Sequence, residues 1–292
     1  MGAFRRFSLG LIGFPLGHSL SPRIHEAALQ ACGLAGTYEL FPIPPEDQEG
    51  VQALFERLRQ GSLDGVNVTI PYKQTVIPFV DVLTPTAQAI GAVNTIYVEA
   101  GQLIGENTDA PGFLADLQRW LALGPRPAGG GAAVGRSKTA LVLGAGGSAR
   151  AVVYALGQDG WQVTVAARRP EQGRALAESF AAYGVRTVEF EPLPEGPFDL
   201  IVNTTPLGMT PKVQECPLPE AYPLRPPTMV YDLVYNPRQT QLVNLAAARG
   251  VPAMGGLGML IEQAALAFER WTGCRPPRRA LWEAVGLLEE FC

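Results

Sequence analysis

Lys73 stands just beyond a short apolar run, in the stretch Asn67–Gln74 "NVTIPYKQ". A lysine there can stabilise negative charge growing on an oxygen and then protonate it. Most lysines are only solvated charges, so residue type does not decide. The chain has two histidines, His18 and His25, so the commonest acid–base side chain is scarce. Asp109, in "GENTDAPG", offers a carboxylate partner, although an Asp in that context also reads as a helix N-cap. Asn94 in "GAVNT" and Gln263 in "GGLGMLIEQA" could hold hydroxyl groups; each alone also reads as a turn or surface residue. Ser19 and Ser21 lie two apart in "GFPLGHSLSP", where a loop enters a helix. Two hydroxyls and helix N–H groups suit a carboxylate, while Ser21 alone could simply cap the helix. His18 reads as a loop residue packed on its neighbours, and His25 as structural.

A second chemistry is written in Gly144-Ala145-Gly146-Gly147-Ser148-Ala149, which fits G-x-G-x-x-A between an apolar strand and a long helix. The glycines allow a tight turn and close backbone approach to a pyrophosphate, and the small last residue lets helix and strand pack. The helix start supplies free N–H groups and the positive end of its dipole. The next strand ends Ala167-Arg168-Arg169, with Arg174 further on. A carboxylate at that strand end would hold the ribose of NAD; arginine suits the 2′-phosphate of NADP. The cofactor expected is therefore NADP.

Positioning these groups requires an alternation of strands and helices, which predicts an α/β protein with parallel sheets. "FSLGLIG", "TYELFPI" and "DGVNVTI" read as strands. "SPRIHEAALQACG" reads as a helix capped by Ser21, and "PPEDQEGVQALFERLRQG" as one opened by prolines. "AVNTIYVE" and "QLIGENT" read as a hairpin turning at Ala100-Gly101. "DAPGFLADLQRWLALG" is an amphipathic helix, followed by the linker-like "PRPAGGGAAVGRS". The second unit opens at "KTALVLGAGG" and continues through the strands "WQVTVAARRP", "FDLIVNTT" and "TMVYDLVY" and the helix "RQTQLVNLAAARG". Two closing helices, "MLIEQAALAFERWTG" and "PRRALWEAVGLLEEFC", have no strands left to serve there and are expected to return to the first unit.

Length and composition are compatible with this plan. The 292 residues allow two domains, 47% hydrophobic content can build two cores, and 17% charged residues argue against disorder. A net charge of -4 without a basic block excludes nucleic acid as an expected partner. No apolar run is long enough to span a membrane. Nor does the glycine-broken N-terminal stretch read as a signal peptide. Cys32, Cys216, Cys274 and Cys292 show no paired or metal-like spacing and read as free thiols in a reducing cytoplasm; no metal site is expected.

Taken together, the motifs resemble shikimate dehydrogenases of the AroE type. The matching segments are "GFPLGHSLSP", "NVTIPYK", "GAVNT", "NTDAPG", "GAGGSAR", "NTTPLGM", "DLVYNP" and "GLGMLIEQA", in order over most of the chain. The resemblance implies NADPH-dependent reversible reduction of 3-dehydroshikimate to shikimate. It implies that Lys73 and Asp109 act at the reacting oxygen. Ser19 and Ser21 would hold the substrate carboxylate, Thr69, Asn94, Asp109 and Gln263 its ring hydroxyls, and Tyr235 would lie near the carboxylate. Gly144, Ala145, Gly146, Gly147 and Ser148 would cradle the cofactor phosphates. Arg168, flanked by Ala167 and Arg169, would meet the 2′-phosphate, and Leu233 and Gly256 would flank the nicotinamide. It also implies a discontinuous substrate domain, 1–108 with 256–292, and a Rossmann-type cofactor domain over 109–255, with a cleft between them. Two positions depart from the family pattern: Ala167 and Arg169 replace the usual Asn and Thr beside the arginine, and Gly255 stands where Asp is common. Alternatives are an NAD-dependent quinate/shikimate dehydrogenase, a non-catalytic ligand sensor on the same scaffold, and an NADP-dependent dehydrogenase of folate metabolism. A homodimer is compatible with the family, and the sequence itself does not set the oligomeric state.

Overall fold

The structure, a computed structural model, describes residues 5–123 and 137–286. The linker-like stretch and the end of the last helix therefore lie largely outside the described residues. The chain divides into two compact units, 1–112 with 261–292, and 113–260.

The first unit carries β1 (Arg6–Gly13), α1 (Ser21–Ala31), β2 (Ala35–Pro42), α2 (Gln48–Arg59), β3 (Gly65–Val68), β4 (Val82–Leu83), α3 (Pro85–Ile90), β5 (Thr95–Glu99) and β6 (Gln102–Glu106). The strand order is β2-β1-β3-β5-β6-β4. The sheet is mixed rather than wholly parallel: β3–β5 and β5–β6 pair antiparallel, the latter as the hairpin expected at Ala100-Gly101. Both hairpin residues have positive φ, 49° and 79°, which the two-residue turn demands. Helix α2 shows how pattern becomes packing. Val51, Leu54, Phe55 and Leu58 recur at helical spacing and are all buried in the core with Val66 and Val68 of β3.

Two helix starts differ from expectation. Asp47, not a proline, opens α2, its side chain accepting from the Gly50 N–H. Ser21 does not cap α1. It is the first helical residue, and its N–H donates to Ser19 Oγ at 3.2 Å.

Helix α4 (Asp109–Leu123) leads onward, and the division between units falls within it. The second unit contains β7 (Thr139–Leu143), α5 (Gly147–Gln158), β8 (Gln162–Ala167), α6 (Pro170–Ser179), β9 (Arg186–Glu189), β10 (Leu200–Asn203), β11 (Met229–Asp232), α7 (Gln241–Ala248) and β12 (Ala253–Gly255). All its strand pairs are parallel, in the order β12-β11-β10-β7-β8-β9. Read from β9, this is the dinucleotide-fold order 3-2-1-4-5-6. Nothing in the sequence announces β9 and β12, because each is three or four residues long and lacks a strong apolar run.

Helix α8 (Leu257–Thr272) begins in the second unit and passes into the first, where α9 (Arg278–Ala284) packs on α1. Cys32, at the end of α1, and Cys274, just after α8, form a disulfide. This corrects the free-thiol reading for these two. Their 242-residue separation hides a pairing that only the return of the C-terminal segment creates. Among the described residues Cys216 is the free thiol.

Candidate active site

Open α/β sheets bind ligands beyond the carboxyl ends of strands, where the chain switches direction across the sheet. In the first unit that point lies between β1 and β3, since β1 is flanked by β2 and β3. The loops leaving the two strands are laced together: Thr69 N–H donates to Ile12 O and Phe14 N–H to Ile70 O, both at 2.9 Å. Gly13 is required at the crossing, because a Cβ there would strike the Thr69 methyl. Ser19, Ser21, Thr69 and Lys73 thus all sit on loops or a helix start at one end of the sheet. β3 ends at Val68, two residues earlier than the sequence suggests, which leaves Thr69 just past the strand end and half-buried.

Lys73 is held in place through its backbone: Val93 N–H donates to its carbonyl at 2.7 Å. Its ammonium meets Asp109 Oδ2 at 2.6 Å, and both side chains are largely buried, 12% and 6% exposed. Asp109 is not spent on capping. Asn107 Oδ1 accepts from the Ala110 N–H, leaving the Asp109 carboxylate to face Lys73. The other carboxylate oxygen, Oδ1, accepts from Asn94 Nδ2 at 2.9 Å. The same amide nitrogen reaches Gln263 Oε1 at 3.3 Å. Gln263 arrives on α8, and Gly112 makes room for it: a Cβ on Gly112 would lie 2.8 Å from the Gln263 backbone nitrogen.

Lys73, Asp109, Asn94 and Gln263 are therefore one hydrogen-bonded constellation, drawn from four separate stretches of sequence. A cation and a buried carboxylate in contact, ringed by amides, can hold ring hydroxyls and exchange a proton with one of them. Ser19 lies on the loop that leaves β1, and Ser21 is the first residue of α1. His18 is exposed rather than packed on its neighbours. His25 is fully buried, its ring stacked on Tyr38 at 4.3 Å, and burial pushes its pKa down to about 3. Neither histidine belongs to the constellation. Thr95 and Thr108, which sequence reasoning passed over, bracket Asn94: Thr108 N–H donates to Asn94 Oδ1 at 2.7 Å and Thr95 Oγ1 at 3.1 Å. Their signal lay inside the motifs "GAVNT" and "NTDAPG", as the residues beside the ones singled out.

The second unit has its own switch point, between β7 and β10. Gly144 stands there with φ +111°, and a Cβ would lie 2.7 Å from Thr204 Oγ1. Gly146 precedes α5 with no side-chain cap, and a Cβ there would meet nothing within 4 Å. The turn Gly144–Ser148 thus leaves the first N–H groups of a three-turn helix without a side-chain cap, which suits an anion. Ala167 is buried at the end of β8; Arg168, Arg169 and Arg174 beyond it are exposed. Among the described residues none of these three guanidinium groups is engaged in an ion pair or hydrogen bond, so all three are available to a phosphate.

Leu233 and Gly256 meet directly. A Cβ on Gly256 would collide with the Leu233 carbonyl, so the approach demands glycine. Behind them Asp232, fully buried, accepts from Asn203 Nδ2 at 2.8 Å and Thr240 Oγ1 at 2.6 Å, and burial raises its pKa. Gly255 has space for a side chain, with the nearest atom to a Cβ at 3.4 Å. Its departure from the family pattern is not forced by crowding. Tyr235 belongs to this unit, apart in the chain's division from the other residues assigned to the substrate.

Comparison with known proteins adds independent findings. Residues 11–96 match the family model described as the shikimate dehydrogenase substrate binding domain, and residues 256–285 match that of the shikimate 5′-dehydrogenase C-terminal domain. The shikimate dehydrogenase (NADP(+)) of Carboxydothermus hydrogenoformans is 38% identical over 95% of this chain and 96% of its own. Among solved structures, the shikimate 5-dehydrogenase of Thermus thermophilus in complex with NADP(H) and shikimate is 38% identical, with a TM-score of 0.80 over 95% of this chain and 98% of that one. The quinate dehydrogenase of Corynebacterium glutamicum in complex with NAD is 30% identical, with a TM-score of 0.82 over 96% of this chain and 99% of that one.

Proposed function

This chain belongs to the shikimate dehydrogenase family, and from that premise we infer that it catalyses the reversible, NADPH-dependent reduction of 3-dehydroshikimate to shikimate, a step of aromatic amino acid biosynthesis. The observation that carries the reading is the 2.6 Å contact between Lys73 and Asp109 inside a ring of amides.

In the proposed division of labour, residues 1–108 with 256–292 hold the substrate and 109–255 the cofactor. Ser19 and Ser21 receive the carboxylate; Thr69, Asn94 and Gln263 receive ring hydroxyls; Tyr235 completes the carboxylate site. Gly144 to Ser148 take the pyrophosphate, and Arg168, with Arg169 beside it after Ala167, takes the 2′-phosphate. The Leu233–Gly256 contact forms the wall for the nicotinamide. NADPH, when bound, supplies the hydride. As the ketone is reduced, negative charge grows on its oxygen. The Lys73 ammonium stabilises that charge and delivers the proton, while Asp109 orients Lys73 and accepts from the hydroxyl being formed.

The test is oxidation of shikimate and of quinate, each with NADP and NAD, compared as kcat/KM. Shikimate with NADP is expected to lead. A lead for quinate with NAD would identify the quinate enzyme instead, and ligand binding without turnover would identify a sensor.

The compartment we propose is the cytoplasm, in keeping with an acidic chain in which no described helix is long and apolar enough to cross a membrane. The Cys32–Cys274 disulfide is the one feature that argues otherwise. We propose a homodimer as the assembly. Its support is β2, an eight-residue strand at the edge of the first sheet. Sedimentation equilibrium tests it, and a monomer at micromolar concentration would refute it.

A further inference from the structure

The constellation at Asp109 rests on a second, deeper set of polar groups. Tyr38, Asn67 and Thr95 are all buried, at 6%, 5% and 0% exposure. Their hydrogen bonds can be followed from Tyr38 to Thr95. Tyr38 O–H donates to Asn67 Oδ1 at 2.8 Å. That orients the Asn67 amide, so its NH2 donates to Thr95 Oγ1 at 3.3 Å and to Asn94 O at 3.2 Å. A hydroxyl that has accepted a bond has its own proton to give, and Thr95 Oγ1 lies 3.1 Å from Asn94 Oδ1, closer than the Thr108 Oγ1 at 3.2 Å, which already accepts from the Asn94 NH2. The Thr108 N–H, which can only donate, meets that same Asn94 oxygen. Asn94 therefore turns its oxygen toward Thr95 Oγ1 and the Thr108 N–H, while its NH2 donates to the Asp109 carboxylate and to Thr108 Oγ1, both at 2.9 Å. Flipped, the amide would set its oxygen against a carboxylate, and two donors behind it would lose their acceptor.

We propose that Tyr38, Asn67 and Thr95 are positioning residues: they form a directional hydrogen-bond chain that fixes the Asn94 amide and, through it, the Asp109 carboxylate that faces Lys73. The stack of His25 on Tyr38, with rings nearly parallel at 7°, holds the first member of the chain in place. Catalytic consequence follows only if the reading under Proposed function is right; the hydrogen-bond chain itself stands on the fold.

The test uses three variants of the full chain. Thr95→Val removes the hydroxyl at nearly constant shape, Thr95→Ser keeps it, and Tyr38→Phe removes the first donor while leaving the ring on His25. Losing one buried hydrogen bond from the chain should lower kcat for shikimate oxidation about three- to tenfold in the Val and Phe variants. The change in KM should be smaller than the change in kcat, and the Ser variant should stay within about twofold of the parent. The Asn94 side-chain amide protons, followed by 15N NMR without ligand, should exchange faster in the Val and Phe variants and not in the Ser variant. Thr95→Ser losing as much as Thr95→Val would show a packing role and overturn the proposal, as would unchanged amide exchange in Tyr38→Phe. If Thr95→Val fails to fold, Tyr38→Phe decides alone. Amide exchange needs no turnover, so a parent protein inactive on shikimate would sink the functional reading and leave the hydrogen-bond chain to be judged separately.

Discussion

Lys73 Nζ and Asp109 Oδ2 lie 2.6 Å apart although 36 residues separate them in the chain. The lysine follows β3 and the aspartate follows β6, so the pair exists because the two strands run the same way and end at the same side of one sheet. Lys73→Met keeps the length of the side chain and removes its charge. We expect kcat to fall about a hundredfold or more, with a far smaller change in KM for shikimate. Asp109→Asn should behave similarly, and the double variant should lose much less than the sum, because the two act as a unit. Removing one partner also leaves a largely buried charge uncompensated. Steady-state kinetics therefore belong well below the melting temperature of each variant. Near-normal kcat in Lys73→Met would end the mechanism.

Cofactor choice rests on Arg168. The residue is exposed and engaged by no side chain among the described residues. Its partner is expected to be the 2′-phosphate, through a charge-assisted bond. Arg168→Ala should raise KM for NADP by about one to two orders of magnitude and leave that for NAD much less affected. An equal loss with both cofactors would show a structural residue.

The disulfide gives a prediction about stability. Cys32 and Cys274 close a loop of 242 residues between the N-terminal part of the first unit and the segment that returns to it. On the chain-entropy picture a loop of that size is worth roughly 5 kcal/mol, and removed native disulfides typically cost about 2–5 kcal/mol. Reduction, or Cys32→Ser, should lower the melting temperature by several degrees. Thiol titration of the denatured, unreduced chain should find two of the four cysteines. Four thiols without reductant would refute the bridge.

His25 links stability to acid. Its folded pKa is about 3 against an ordinary 6.5, chiefly because burial penalises the charged ring, with a smaller opposing contribution from Asn67. The unfolded chain binds the proton first, so stability is fully present above about pH 6.5 and is lost as pH falls toward 3. Between pH 7 and pH 5 the loss from this one group should be roughly 2 kcal/mol. Urea unfolding of the parent and of His25→Phe at both pH values isolates it: the parent should lose more on acidification than the variant. Parallel losses would show that His25 titrates normally.

Much of this protein is legible in its sequence because the signals are local. The period of Val51, Leu54, Phe55 and Leu58 writes a helix face. Ala100-Gly101 writes a hairpin, and the glycines at 144–147 write a strand–turn–helix, because each depends on residues within one or two turns of each other. The motif order names the family on the same basis. What the tertiary structure alone decides is pairing across distance. Whether Asp109 caps a helix or faces Lys73 depends on Asn107 taking the free N–H. Whether Ser21 caps α1 depends on where the helix begins, and Ser19 rather than Ser21 receives the first N–H. Cys32 finds Cys274 only because α8 carries the chain back to the first unit. The amide of Asn94 presents its NH2 to Asp109 because the hydroxyl of its neighbour Thr95 and the N–H of Thr108, beyond the end of β6, already occupy its oxygen. A sequence records which donors and acceptors exist. Burial decides which must pair, because an unpaired polar group away from water is too costly to leave.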